Sequence, residues 1–195
     1  LEGAKLTRLG RRAKYLVGEL SNGEALIMHL GMTGRFTVSG STPGKFHHQA
    51  GEDEKHDHVV FDMAGGTRVV FNDVRRFGFM DLWPVDDIDN YAPFAGMGPE
   101  PISNEFSGAY LAEAFKAKKA PVKSALLDQS VVAGLGNIYV CEALFMSGIS
   151  PRRLAMNVSR QKCDVLALAV REVLAAAIEA GGSTLKDFAK ADGSL

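Results

Sequence analysis

The sequence predicts an α+β chain, with a β-rich half of sandwich or barrel type followed by a helical half. Three observations carry this. Short apolar segments recur before residue 84, separated by Gly and Asn turns. Composition then shifts across residues 84–104, which hold Pro84, Pro93, Pro99 and Pro101. Beyond that point apolar residues return every three to four positions, the period of a helix.

Taken in order, strand-like runs fall at residues 13–20, 24–30 (EALIMHL), 58–63 (HVVFDM), 67–71 (TRVVF) and 77–83 (FGFMDLW). Turns at 21–23 (SNG) and 64–66 (AGG) punctuate them. Residues 39–55, rich in Ser, Gly, Pro and charge, read as a loop. The domains implied are 1–92, a connector at 93–104, and 105–195. In the last, residues 105–118 carry a stripe of Phe106, Tyr110, Leu111, Ala114 and Phe115. Pro121 opens a short helix, where its missing N–H costs little. Further helices are expected at 137–147 and 159–180, and Thr184 three before Asp187 signals a cap.

Composition narrows the function. With 195 residues, 46% hydrophobic and 23% charged, the chain suits one large core or two small ones. Disorder is excluded, and no apolar stretch is long enough to span a membrane. No charged-then-apolar leader is visible, and a cytoplasmic home is expected. Cys141 and Cys163 are too few for a four-cysteine metal site, and both are expected to be buried thiols. The net charge of −1 hides local basicity. Residues 1–35 hold six cations against three acids, and residues 111–125 hold four against one. Such patches suit a phosphate-tracking surface and equally an ordinary solvated face.

The most informative segment is 119–145, KAPVKSALLDQSVVAGLGNIYVCEALF. A helix carrying Lys123 is followed by turns at 128–130 and 134–136, then by a helix opening at Asn137. Glycines before a helix N-terminus expose unpaired N–H groups at the positive end of the macrodipole, which holds phosphate. The plainer alternative is a helix hairpin with Asn137 as its N-cap.

This segment resembles the helix-two-turns-helix signature of the formamidopyrimidine-DNA glycosylase and endonuclease VIII family. RRAKYL (11–16), HLGMTG (29–34), KHDHV (55–59), DVRRFG (73–78), GPEP (98–101) and GGSTLKDF (181–188) match the formamidopyrimidine branch in order. The resemblance implies an N-terminal β-sandwich followed by a helical domain with a helix-two-turns-helix DNA-binding motif. It implies base-excision repair on double-stranded DNA containing oxidised purines such as 8-oxoguanine and formamidopyrimidines, by a monomer. Such enzymes flip the damaged base out of the duplex and must fill the hole. The resemblance places Met32, Arg75 and Phe77 in that role, with Arg75 and Phe77 expected on one face of an extended segment. It makes Lys14 a strand lysine that moves protons and contacts phosphate. It makes His56, Lys119, Lys123 and Asn137 DNA contacts, with Arg75. A metal reading of His47, His48, His56 and His58, the last two expected on one strand face, is the weaker alternative.

The family's nucleophile is an N-terminal proline amine followed by glutamate, which forms a Schiff base at C1′ and drives β,δ-elimination. No Pro-Glu opens this chain. The family's zinc finger, with one zinc ion on four cysteines, is expected outside residues 1–195. Rival readings are an endonuclease VIII-like enzyme for oxidised pyrimidines, a non-catalytic damaged-DNA-binding or RNA-binding module (helix-two-turns-helix elements occur in a ribosomal small-subunit protein), and a generic α+β domain.

Overall fold

The structure, a computed structural model, describes residues 1–40 and 54–181, which divide into two units, Leu1–Phe94 and a second beginning at Ala95. The first is a pair of antiparallel sheets. β1 (Leu6–Arg12), β2 (Tyr15–Leu20), β3 (Glu24–His29) and β7 (Phe79–Pro84) lie in the order β1-β2-β3-β7. β4 (Arg35–Ser39), β6 (Arg68–Asn72) and β5 (Asp57–Asp62) lie in the order β4-β6-β5.

Alternation along the strands sets which face is buried. Val17 lies opposite Ile27, and Ala25 opposite Trp83. Val17, Ala25 and Ile27 pack under Tyr91, with Trp83, Val85, Ile88 and Phe94 around them. The cover is a 3-10 helix, Val85–Asn90, which the sequence places in the Pro-rich stretch. Val85, Ile88, Tyr91 and Phe94 are three residues apart, so one face of a three-per-turn helix and its extension meets the sheet. Trp83 Nε1 donates to the Asp87 carbonyl at 2.9 Å, and Tyr91 donates to Asp81 at 3.2 Å. Burial, with the Asp81 carboxylate beside it, pushes the Tyr91 hydroxyl up to about 12.

β1 was not among the expected strands, because LTRLGRR lacks a one-faced apolar pattern. It survives as an edge strand. Its cations keep the open edge soluble, and Arg8 pairs with Glu19 across to β2 at 2.8 Å. The β1–β2 connection is the two-residue turn Ala13-Lys14, with Ala13 left-handed (φ 52°) and its carbonyl held by the Arg11 guanidinium at 2.6 Å. Lys14 therefore lies in the turn and not within a strand, as the sequence suggests.

The second unit packs α1 (Gly108–Phe115), α2 (Val122–Leu127), α3 (Asn137–Met146) and α4 (Arg160–Glu179) around one core. Phe106, Leu111, Phe115, Leu126, Val132, Leu135, Val140, Leu144, Leu166 and Val170 are fully buried in it. Each such aliphatic or aromatic side chain contributes about 1.5–3 kcal/mol by leaving water. α1 is shorter than its apolar stripe because Ser107 caps it, accepting from the Tyr110 N–H at 3.1 Å. Ser159 caps α4 in the same way, at 3.3 Å to the Lys162 N–H. α1 crosses α4 at Gly108, where a Cβ would stand 2.5 Å from Asp164 Cα, so only glycine permits the approach.

Much of the Pro-rich stretch is bound into this unit. Gly98 N–H donates to the Gln129 carbonyl at 2.9 Å and Ala133 N–H to the Pro99 carbonyl at 3.1 Å. The Arg171 guanidinium donates to the carbonyls of Pro101, Ser103 and Phe106. Among the described residues no helix is long and apolar enough to cross a membrane. The Thr184–Asp187 cap, and His47 and His48, lie outside the described residues.

Candidate functional site

In the first unit, two loops meet at Asp73. The loop after β3 turns at Gly31 (φ 63°), and Gly34 N–H closes it on the Leu30 carbonyl at 2.9 Å. A Cβ on Gly31 would lie 2.7 Å from Gly78 N and from Phe77 C. The backbones of the loops at 31–34 and 73–78 therefore touch, which explains a glycine in each.

Asp73 is fully buried, and its carboxylate is surrounded by donors. Thr33 Oγ1 and the Arg75 N–H (3.3 Å) reach Oδ1, and the Gly78 N–H reaches Oδ2 at 2.8 Å. Desolvation pushes its pKa up, but these hydrogen bonds together outweigh it and hold the carboxyl below its ordinary value. The chain wraps this anion by placing Arg76 in the left-handed region (φ 56°).

The result is a three-residue cluster facing solvent. Arg75 Nη1 lies 3.2 Å from Met32 Sδ, and its guanidinium stands 4.6 Å above the Phe77 ring. Met32 is 59% exposed and Phe77 56%. The structure thus brings Met32, Arg75 and Phe77 together, as expected. It does so through a tight turn, not through one face of an extended segment. Two large apolar side chains are thus held in water on either side of a cation.

His56 is tied to the same place. It ends a 3-10 turn, Glu54–His56, and its carbonyl accepts from the Asp73 N–H at 3.0 Å. His58, in β5, has Nε2 2.8 Å from the Asp73 carbonyl, so that nitrogen carries the proton. The two histidines lie on different elements, and the shared strand face expected of them is not formed.

Lys14 has an exposed side chain, yet enough protein surrounds its ammonium to strip part of its hydration, which lowers its pKa. Its charge is felt by His29, whose pKa falls through desolvation first and the Lys14 charge second. The His29 ring stacks on Phe79 (centroids 5.6 Å apart) and approaches Tyr15 at 4.8 Å. Its Nδ1 accepts from the Gly31 N–H at 3.1 Å, so the neutral ring carries its proton on Nε2. Sequence reasoning assigned no role to His29, although it opens the HLGMTG block; its neighbours in space are remote in sequence.

In the second unit, α2 and α3 are joined by two turns held internally by side chains. Asp128 accepts from Ser130 N–H (3.0 Å) and Oγ (2.6 Å), and from Lys118 Nζ (2.8 Å). Gln129 spans both turns, donating to the carbonyls of Leu127 and Leu135 and accepting from the Gly134 N–H at 2.8 Å. Gly134 is left-handed (φ 90°). Val131, Val132, Ala133 and Leu135 are buried beneath.

These braces aim the N-terminus of α3. Its N-cap is Gly136, with no side-chain cap, so Asn137 is the first helical residue and not the cap. Asn137 is exposed, leaving its amide and the first-turn N–H groups at the positive helix end. Lys119 is exposed in the loop before α2, and Lys123 is half-buried on α2. Cys141 is exposed on α3, contrary to expectation, while Cys163 is buried in α4. Among the described residues no group of three or more His, Cys, Asp or Glu could hold a metal. The zinc implied by the resemblance finds no ligand set there, and no chemistry here depends on it.

Asp128 gives a pH prediction. Hydrogen bonds from Lys118 and Ser130 lower its pKa from 3.8 to about 2. A depressed carboxyl stabilises the fold fully above its unfolded pKa, and that contribution disappears as pH falls through the folded value. With the side chain 40% exposed, screening reduces the contribution to about 1 kcal/mol. Asp128→Asn should lower the urea midpoint at pH 6 and leave it near wild type at pH 2; an equal loss at both would refute the electrostatic origin.

Known proteins share both halves. Residues 1–80 match the formamidopyrimidine-DNA glycosylase N-terminal domain, and residues 97–189 match the formamidopyrimidine-DNA glycosylase H2TH domain. A formamidopyrimidine-DNA glycosylase of Dinoroseobacter shibae is 56% identical over the whole of this chain, which spans 69% of that relative. One from Rhodopseudomonas palustris is 52% identical, with 70% of its length covered. Among solved structures, the Lactococcus lactis enzyme in complex with DNA containing an abasic site superposes with a TM-score of 0.82 at 32% identity, over 94% of this chain and 64% of that one. The Lactococcus lactis complex with Fapy-dG-containing DNA gives 0.83 at 31%, over 97% and 69%. With both domain models matched in order and relatives more than half identical over its whole length, the chain belongs to the formamidopyrimidine-DNA glycosylase family.

Proposed function

We propose that the intact protein is a base-excision repair enzyme, a DNA glycosylase and AP lyase that removes oxidised purines from double-stranded DNA. The observation that carries this is the exposed Met32–Arg75–Phe77 cluster on two loops braced by a buried anion. Met and Phe are the side chains that wedge between bases, and Arg between them offers donors to the orphaned base. Family structures bound to abasic-site DNA and to Fapy-dG DNA support a damaged-DNA partner.

The remaining residues take further roles on the DNA. Lys14, with its lowered pKa, exchanges protons at the lesion and attracts its phosphate. His29 offers Nε2–H as a neutral donor beside it. His56, whose carbonyl is bonded to Asp73 in the wedge loop, takes a contact to the DNA phosphate backbone. Lys119, Lys123 and Asn137, with the open end of α3, hold phosphates and so set register without reading sequence. The zinc finger that the family implies would add a further DNA-binding element.

The test is borohydride trapping of the intact protein on a duplex carrying 8-oxoguanine opposite cytosine, beside duplexes carrying an oxidised pyrimidine and no lesion. A covalent adduct on 8-oxoguanine, well above the other two, is expected. An adduct only on the pyrimidine lesion would move the protein to endonuclease VIII-like chemistry. No adduct on any, with undamaged duplex bound as well as damaged, would reduce it to a DNA-binding module.

A further inference from the structure

We infer that Asp73 and Thr33 form a positioning brace that makes the void-filling wedge and the His56 segment a single rigid reader. The inference rests on the DNA-repair reading above. Neither residue faces the solvent cluster it would serve, and none of the roles given so far uses them.

The connections run from one buried residue to three separate stretches of chain, two through its carboxylate and one through its backbone. Through Thr33 Oγ1 it reaches the loop carrying Met32. Through the N–H groups of Arg75 and Gly78 it fixes the loop carrying the guanidinium and the ring. Thr33 Oγ1 also accepts from the Arg75 N–H at 3.2 Å, so its hydroxyl serves both loops at once. Through its own backbone Asp73 holds the third stretch, donating to His56 and accepting from the His58 ring. A wedge made of flexible Met and Arg side chains loses rotamer freedom when it enters DNA. Loops fixed beforehand reduce that loss and keep the three tips in register.

The chemistry explains why this position holds a carboxylate. Every group bonded to the Asp73 carboxylate from Thr33, Arg75 and Gly78 is a donor, and only an ionised acid accepts on both oxygens. An amide in its place turns one acceptor into a donor that faces other donors. Asp73→Asn therefore breaks half of the brace while preserving shape. Thr33→Val removes the hydroxyl that links the loops and leaves the carboxylate with its backbone donors. Thr33→Ser retains the hydroxyl and is the conservative rescue.

The experiment has two readouts on the full chain. The first is the fluorescence of 2-aminopurine placed opposite an abasic-site analogue, which reports stacking of the wedge into the gap. Thr33→Val and Asp73→Asn should weaken the preference for this duplex over undamaged DNA by about 10-fold and reduce the fluorescence change, while Thr33→Ser matches wild type. The second is amide hydrogen exchange without DNA, where Thr33→Val should speed exchange in residues 31–34 and 74–78 together. Coupled exchange with altered fluorescence upholds the brace. Exchange changing in residues 31–34 alone, or fluorescence and preference unchanged in both variants, overturns it. Failure of the wild-type protein to prefer the abasic duplex would instead remove the repair reading, and the exchange data would then judge the brace as a purely structural device.

Discussion

Replacing Lys14 with Gln is expected to lower base excision by about 10²- to 10⁴-fold, the usual contribution of a positioned proton-transfer group. The turn that carries it is fixed on both sides: Ala13 is buried and left-handed, and Arg11 clamps its carbonyl. Lys14 is therefore presented from a rigid two-residue hairpin and not from a flexible loop. Its lowered pKa increases the fraction of free amine near neutral pH, where an ordinary lysine has almost none. Arg at this position retains the charge and the attraction to phosphate but does not give up a proton. Lys14→Arg should consequently bind an abasic duplex within a few-fold of wild type while losing nearly as much excision as Lys14→Gln, with both constants measured in parallel. Full activity in Lys14→Arg would reduce Lys14 to an electrostatic contact.

Phe77→Ala is the second large effect, and it separates function from stability. The ring is more than half exposed and lies under the Arg75 guanidinium, so its loss leaves no buried cavity. The cost to folding should stay within about 0.5 kcal/mol, as for ordinary surface positions. On DNA the same change is expensive, because a ring stacked against a base is worth about 1–3 kcal/mol and the gap left by a flipped base must be filled. At about 1.4 kcal/mol per factor of ten, excision of 8-oxoguanine falls by roughly 10- to 100-fold. Cleavage at a preformed abasic site, where no intact base has to be extruded, should fall less. A melting temperature that drops in proportion to activity would show that Phe77 is a packing residue after all.

Different parts of this molecule were legible to different degrees. Strands β2, β3, β5, β6 and β7 and the long helix α4 announce themselves through alternation or a 3.6-residue stripe, since each buries a single face. The cover at 85–94 escaped notice because its period is three, between the two periods sought, and because prolines surround it. The wedge residues were named from their sequence blocks, but their meeting depends on Asp73, whose partners at 33 and 78 lie far apart along the chain. A buried acid in a polar loop has no signature in composition; its donors become visible only once the two loops touch. For the same reason His29 passed unremarked. The helix opening at Asn137 is legible in the glycines before it, and the alternative of Asn137 as the cap fails because Gly136 takes that position with an extended backbone.

The proton on His29 Nε2 has a consequence for how binding would be counted. A neutral imidazole meeting a phosphate displaces no condensed cation, and neither does the amide of Asn137 or an uncapped helix end. Each lysine or arginine doing the same releases about one counterion. The slope of affinity against salt would thus register Lys14, Lys119 and Lys123 on their phosphates and be blind to these dipolar contacts. A shallow salt dependence would not mean a small footprint on DNA, only that much of the grip is made by dipoles instead of ions.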